Sequence, residues 1–223
     1  MSHLVESYQL WFLGTVILVA LAEVSAVQLD SRSAEEWVKI LEEEDRVSGL
    51  KIEEVMARLK LKPGDVVADI GAGTGIFSMP LARAVAPAGT VFAVEIDQKL
   101  LDYIDERSKR EKVADVQTVL GEFADPKLPS REVDLAFFHN VLHHIEHRRQ
   151  YLDALDSYLK SDGRVVVIDR IRGRPGADHG HHTEVHNASH QVKDLMADAG
   201  FDLIEEFDLF EDKFFLVFAH RNP

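Results

Sequence analysis

The chain contains no cysteine. That absence excludes a disulfide framework, a thiolate metal centre and any reaction that passes through a protein thiol. Basic residues are also scarce: 25 Lys and Arg stand against 39 Asp and Glu, for a formal net charge of -14. A protein that grips a nucleic-acid backbone needs a basic face that would dominate such a count, so no nucleic-acid partner is expected. Arg148, Arg149, Arg164, Arg170, Arg172 and Arg174 are read as scattered solvated charge. No internal repeat or low-complexity tract interrupts the chain, which has room for one ordinary domain and a short extension.

Long apolar runs are missing too. The most extended, Leu10 to Ala22, is ended by Glu23 and falls short of the roughly 20 residues that a spanning helix needs. Its length suits a signal-peptide core, and Val24-Ser25-Ala26 supplies small residues in a cleavage pattern. Export with a mature start near Val27 is the preferred expectation. The segment ahead of the run has no lysine or arginine, however, and widening it to residues 8–27 gives the length of a membrane anchor. An exported or membrane-anchored protein is therefore expected ahead of a cytoplasmic one. Losing residues 1–26 removes Glu6 and Glu23 and no basic residue, so -14 becomes -12 and the charge argument stands.

What the chain does have is an apolar strand running into a glycine-studded turn: Val66-Val67-Ala68-Asp69-Ile70-Gly71-Ala72-Gly73-Thr74-Gly75. Glycine is needed where a side chain would forbid the turn or hold the backbone off a ligand. A helix from Ile76 to about Val85 should follow, with unpaired N–H groups at its start. The dinucleotide fingerprint fails on spacing, because Ile76 stands where its third glycine belongs. A second strand, Thr90 to Asp97, ends in two acids, Glu95 and Asp97. An ionised carboxylate there accepts two hydroxyl protons at once. Beyond it lie Gly121-Glu122-Phe123-Ala124-Asp125 and a fourth strand, Val133 to Phe138, that runs into His139-Asn140-Val141-Leu142-His143-His144.

These four segments, in this order, resemble the class I S-adenosylmethionine-dependent methyltransferases. The resemblance covers roughly residues 64 to 170 and implies S-adenosylmethionine as cofactor. It implies that Asp69, Gly71, Gly73 and Gly75 form the loop around the cofactor's amino-acid end. It gives Glu95 the ribose hydroxyls, with Asp97 in reserve, and Glu122 the adenine amino group, with Phe123 beside it and Asp125 in reserve. His139, Asn140 and His143 fall where the family lines the methyl-transfer site, His139 also bordering the cofactor. The acceptor implied is a small or lipid-like molecule, since the core is minimal.

The pattern of elements agrees. Strands at Val116–Leu120, Val133–Phe138 and Arg164–Ile171 alternate with helices near Gln98–Lys109 and Arg148–Lys160, which predicts an α/β, doubly wound, mostly parallel Rossmann-like sheet. A helix near Gln191–Ala199 stops at Gly200, and Phe201–Phe210 with Lys213–Ala219 read as a hairpin. The resembled family closes a seven-stranded sheet with one antiparallel strand, expected here at Lys213–Ala219. Residues 1–26 form the leader, 27–62 a helical flank or lid, and 63–223 the methyltransferase domain. In the flank, Ser33 opens a helix whose Trp37, Val38, Ile40 and Leu41 share a stripe, with Glu42 to Asp45 facing water. A second helix spans Lys51 to Leu59. Trp37 is read as packing and Arg46 as a surface ion pair, with substrate contact the alternative for each.

Eleven histidines are many for an acidic chain, and nine fall into two groups: His139, His143, His144 and His147, then His179, His181, His182, His186 and His190. A loop from Arg172 to Gly176 and a cap near Asn187 would keep His182 and His190 off one helix, so no metal site is expected. Methyl transfer from a sulfonium is an in-line displacement that needs a base only when the acceptor carries a proton. Histidine titrates near pH 6.5 when unperturbed, which makes His139 or His143 the candidate base, with Asp169 second. The competing readings are a non-catalytic module that binds S-adenosylmethionine and a histidine-rich metal-binding protein on the same fold.

Overall fold

A computed structural model describes residues 32–171 and 189–221. The leader and His179, His181, His182 and His186 lie outside the described residues. No described helix is long and apolar enough to cross a membrane.

Seven strands build one sheet: β1 Val66–Ile70, β2 Thr90–Glu95, β3 Val116–Leu120, β4 Val133–His139, β5 Leu159–Arg170, β6 Phe201–Phe207 and β7 Lys213–His220. They lie in the order β3-β2-β1-β4-β5-β7-β6, with β7 antiparallel to both of its neighbours and the other pairs parallel. The antiparallel closing strand is thus the one expected. Chain order reverses between β1 and β4, and ligands in such sheets bind outside the carboxyl ends of the strands at that switch.

Helices α1 Ala34–Leu41, α2 Glu44–Ser48, α3 Ile52–Leu59, α4 Ser78–Val85, α5 Gln98–Glu111, α6 Arg148–Asp156 and α7 Ser189–Asp198 cover the sheet. Strand residues alternate between two faces. Ala68, Ile70, Ala136, Phe138, Val165 and Val167 face Leu152 and Leu155 of α6 and Val192 and Met196 of α7. Val67, Leu135, Phe137, Val166 and Ile168 face Val55 and Leu59 of α3 and Leu81 and Val85 of α4. Burial on both faces is why the central strands read as unbroken apolar runs. The edges do not: β3 and β6 are largely half-buried or exposed.

Several boundaries move from their expected places. Helix α4 begins at Ser78 rather than Ile76, because the turn is not finished at Gly75, whose N–H bonds back to Ala72. Helix α6 stops at Asp156 because β5 starts early, at Leu159, pairing with Val133 before a register shift joins Leu135 to Arg164. The flank holds three helices where two were expected: Glu42–Asp45 does not form one wet face, because α1 ends at Leu41 and α2 starts at Glu44. Ser33 does cap α1: its hydroxyl accepts the Glu36 N–H, and Glu36 returns the bond to the Ser33 N–H. Arg107 on α5 ties this flank down, donating to Glu42 at 2.5 Å, to Glu111 at 2.8 Å and to the Thr74 carbonyl of the glycine turn at 3.2 Å.

Candidate active site at the carboxyl ends of the strands

The glycine turn leaves β1 and is laced to the tip of β2, where the Val94 carbonyl accepts the N–H groups of both Gly71 and Ala72. Gly71 has φ +67°, and a Cβ on it would run into Val141, 2.9 Å from the Val141 Cβ. Both the dihedral and the close approach demand glycine. Gly73 and Gly75 also have positive φ, and the Leu41 side chain of the flank sits 3.3 Å from where a Gly73 Cβ would be.

Asp69, at the end of β1, is buried, and Ser78 Oγ at the start of α4 donates to it at 2.6 Å. That bond fastens the two ends of the turn together. Burial pushes the Asp69 carboxyl up to about 7; the Ser78 hydrogen bond opposes the rise and the Glu95 charge adds to it. A carboxyl raised in the folded state stabilises the fold below its unfolded value near 3.8, and that stability is lost as pH rises toward 7. Asp69→Asn keeps the shape without the charge. Its stability relative to wild type is therefore expected to climb between about pH 4 and 7 and level off above, which thermal unfolding against pH would check.

Glu95, at the tip of β2, accepts the Gly73 N–H at 3.1 Å and the Ile96 N–H at 2.7 Å. Burial raises its pKa, the backbone bonds oppose the rise, and Asp97 adds to it. Asp97 is occupied elsewhere, capping α5 through the Lys99 N–H. Thr74 Oγ1 in the turn is buried with no hydrogen-bond partner among the described residues. Glu122 and Phe123 stand on an exposed turn closed by a Glu122–Asp125 bridge, where the Glu122 carboxylate pairs with Lys127 at 3.4 Å. Asp125 accepts from Tyr158 Oη at 3.1 Å and from the Lys127 backbone at 2.8 Å.

On the acceptor side, β4 delivers His139 and the chain then turns sharply at Asn140, φ +53°, into a 3-10 turn over Leu142–His144. That turn folds His143 back over the end of β5. Its Nδ1 lies 2.6 Å from Asp169 Oδ1, and its backbone N–H donates to Asp169 Oδ2 at 3.1 Å. Both residues are almost fully buried, at 5% and 1% exposure. The sequence offered Asp169 and His143 as separate candidate bases; their pairing was not visible there. His139 sits against Phe77, centroids 4.7 Å apart, and burial drives its pKa down to about 3, with Lys213 adding to the drop and Asp169 opposing it. It is neutral at pH 7 and a poor base. His139 Nε2 and Asn140 Oδ1 are both buried with no hydrogen-bond partner among the described residues.

The remaining arginines are mostly spoken for. Arg148 donates to the carbonyls of His143 and Ile145, Arg149 pairs with Asp153, and Arg164 donates to the Leu59 carbonyl. Arg46 corrects an expectation: it is half-buried on α2 and makes no ion pair among the described residues. No group of three or more His, Asp or Glu among the described residues converges as a metal site.

Residues 68–167 match the family model for the methyltransferase domain. Over 113 residues the chain is 27% identical to the demethylmenaquinone methyltransferase of Lactobacillus johnsonii, covering 50% of this chain and 46% of that one. Over 118 residues it is 24% identical to the arsenite methyltransferase of Halobacterium salinarum, covering 53% and 30%. The chain thus spans half or less of the length of these curated relatives. Among solved structures, a SAM-dependent methyltransferase from Aquifex aeolicus superposes with TM-score 0.75 at 22% identity, over 84% of this chain and 98% of that one. The methyltransferase-domain match thus takes in a little under half of the chain, and the strand order with its antiparallel β7 gives the chain the same fold as the solved methyltransferase.

Proposed function

We propose that this protein transfers the methyl group of S-adenosylmethionine to a small-molecule or lipid-like acceptor. The observation that carries the reading is the bond from Gly73 N–H to the Glu95 carboxylate. It sets an anionic acceptor and a turn without side chains on one lip at the switch point of the sheet. When bound, S-adenosylmethionine supplies a methyl group made electrophilic by its sulfonium. Gly71 and Gly73 would border its amino-acid end with backbone alone, and Glu95 would accept from both ribose hydroxyls. Thr74 Oγ1 has a hydrogen bond left to make, which fits a polar ligand at that turn. Glu122, exposed and paired with Lys127 at 3.4 Å, is assigned the adenine amino group, with the exposed Phe123 offering a ring beside it.

In-line displacement asks the protein to align two reactants and exclude water. His143 is the group best arranged to take a proton from a hydroxyl or amine acceptor, because Asp169 fixes its ring and favours the proton on Nδ1. His139 and Asn140 then serve as neutral hydrogen-bonding groups rather than bases. Relatives named for demethylmenaquinone and arsenite support a small acceptor over a macromolecule. Calorimetric titration with S-adenosylmethionine, followed by transfer of labelled methyl to a panel of quinols, phenols, amines and lipids, tests the proposal. Labelled product supports it. Absence of cofactor binding overturns it, and binding without transfer to any acceptor leaves the non-catalytic module in its place.

A further inference from the structure

Three cations gather where an acidic protein has few to spare. Arg170, the last residue of β5, and Lys213, the first of β7, are directly paired across the antiparallel ladder. Like charges in that position repel, and Lys213 is only 8% exposed. Arg46 lies on α2, within electrostatic range of both Arg170 and Lys213. The three act electrostatically on one another and on His139. Counter-charges among the described residues are too few. Asp212 takes Lys213 at 3.1 and 3.3 Å, Phe210 receives the same ammonium over its ring at 4.7 Å, and Glu43 lies within electrostatic range of Arg46. Asp169 is engaged by His143.

Arg170 Nη1 is buried with no hydrogen-bond partner among the described residues, and it shares this condition with His139 Nε2 and Asn140 Oδ1. Strand register brings these together: His139 pairs with Ile168, and the Asn140 N–H donates to the Ile168 carbonyl at 2.8 Å, one side-chain step from Arg170 on the same face of the sheet. Of the five buried side-chain atoms without partners among the described residues, three belong to this corner. A buried donor or charge left unmatched costs stability, so its retention marks a place where a ligand completes the set.

The geometry points to Arg46, Arg170 and Lys213 as an oxyanion-binding subsite that holds a carboxylate or phosphate group of the methyl acceptor beside His139. This inference rests on the methyltransferase reading and narrows its acceptors to acidic ones. Guanidinium pairs match both oxyanions, and a lysine adds a point charge. The anionic group would anchor the acceptor on the α2–α3 face, leaving its nucleophile toward the His143 side of the strand ends.

The test is titration of the full chain at low ionic strength with inorganic phosphate, with benzoate, and with neutral benzamide. Saturable binding of an anion without binding of benzamide is expected. Arg170→Gln and Arg46→Gln should each weaken that binding at least about tenfold, the worth of one charge-assisted hydrogen bond. Both should keep the wild-type affinity for S-adenosylmethionine. Tighter binding of phosphate assigns phosphate-ester acceptors, and tighter binding of benzoate assigns carboxylic acids. No saturable anion binding by the wild type, or affinity unchanged in both variants, overturns the subsite even where the cofactor binds. Anion binding without cofactor binding would instead remove the methyltransferase reading and leave the subsite standing.

Discussion

Replacing Glu95 by alanine is expected to weaken S-adenosylmethionine binding by about 100-fold or more, read by titration calorimetry. Two hydroxyl-to-carboxylate hydrogen bonds would be lost, each worth roughly 1.5–3 kcal/mol, and every 1.4 kcal/mol is a factor of ten. The change also frees the Gly73 N–H, which now donates to that carboxylate at 3.1 Å, so the turn loses a brace as well as the ligand losing an anchor. Glu95→Gln separates the two effects. It retains an oxygen to brace Gly73 and gives up the charge, and an intermediate affinity is expected. Because burial raises the Glu95 pKa, the glutamine variant should also escape a loss of stability that the wild type suffers as pH rises through the titration of this group. Wild-type affinity in Glu95→Ala would remove the ribose role.

Much of this was legible in the sequence, and for identifiable reasons. Strands β1 and β4 are buried on both faces, so they appear as apolar runs, and the turn between β1 and α4 advertises itself through glycines that no other residue can replace. The acid at the tip of β2 follows from where the apolar run ends. Asp97, equally acidic and two residues away, is instead a helix cap. What the sequence hid depends on register. Arg170 faces Lys213, and Asp169 meets His143, only because β7 runs antiparallel at one particular offset and the chain doubles back after Asn140. No local pattern encodes either offset. The surface ion pair expected of Arg46 is missing for a related reason: spacing on a helix cannot say whether an acid reaches it, and Glu43 comes only within electrostatic range. Ser78 was overlooked because a serine at a helix start is common, and its bond to Asp69 spans a turn whose length is set by three left-handed glycines.

His143→Gln is expected to lower kcat by about 10²–10⁴ for a hydroxyl or amine acceptor while leaving cofactor affinity unchanged, the range general-base removal produces. The assignment to His143 over His139 follows from their surroundings. Desolvation takes His139 down to about 3, so at neutral pH it is an uncharged imidazole with little appetite for a further proton. His143 instead has a carboxylate at 2.6 Å to stabilise the charge it would acquire on accepting a proton. His139→Gln should therefore cost less in kcat and more in KM, because its unpaired Nε2 is placed to hold the acceptor rather than to deprotonate it. The split between kcat and KM distinguishes chemistry from mere packing: kcat should fall in His143→Gln, and KM should rise in His139→Gln. Asp169→Asn adds a second view of the same pair. An amide nitrogen turned toward Nδ1 no longer accepts its proton, the ring is freed to take the other tautomer, and kcat should fall as in His143→Gln. If His143→Gln turns over at the wild-type rate, the proton leaves by another route and the Asp169–His143 pair is structural.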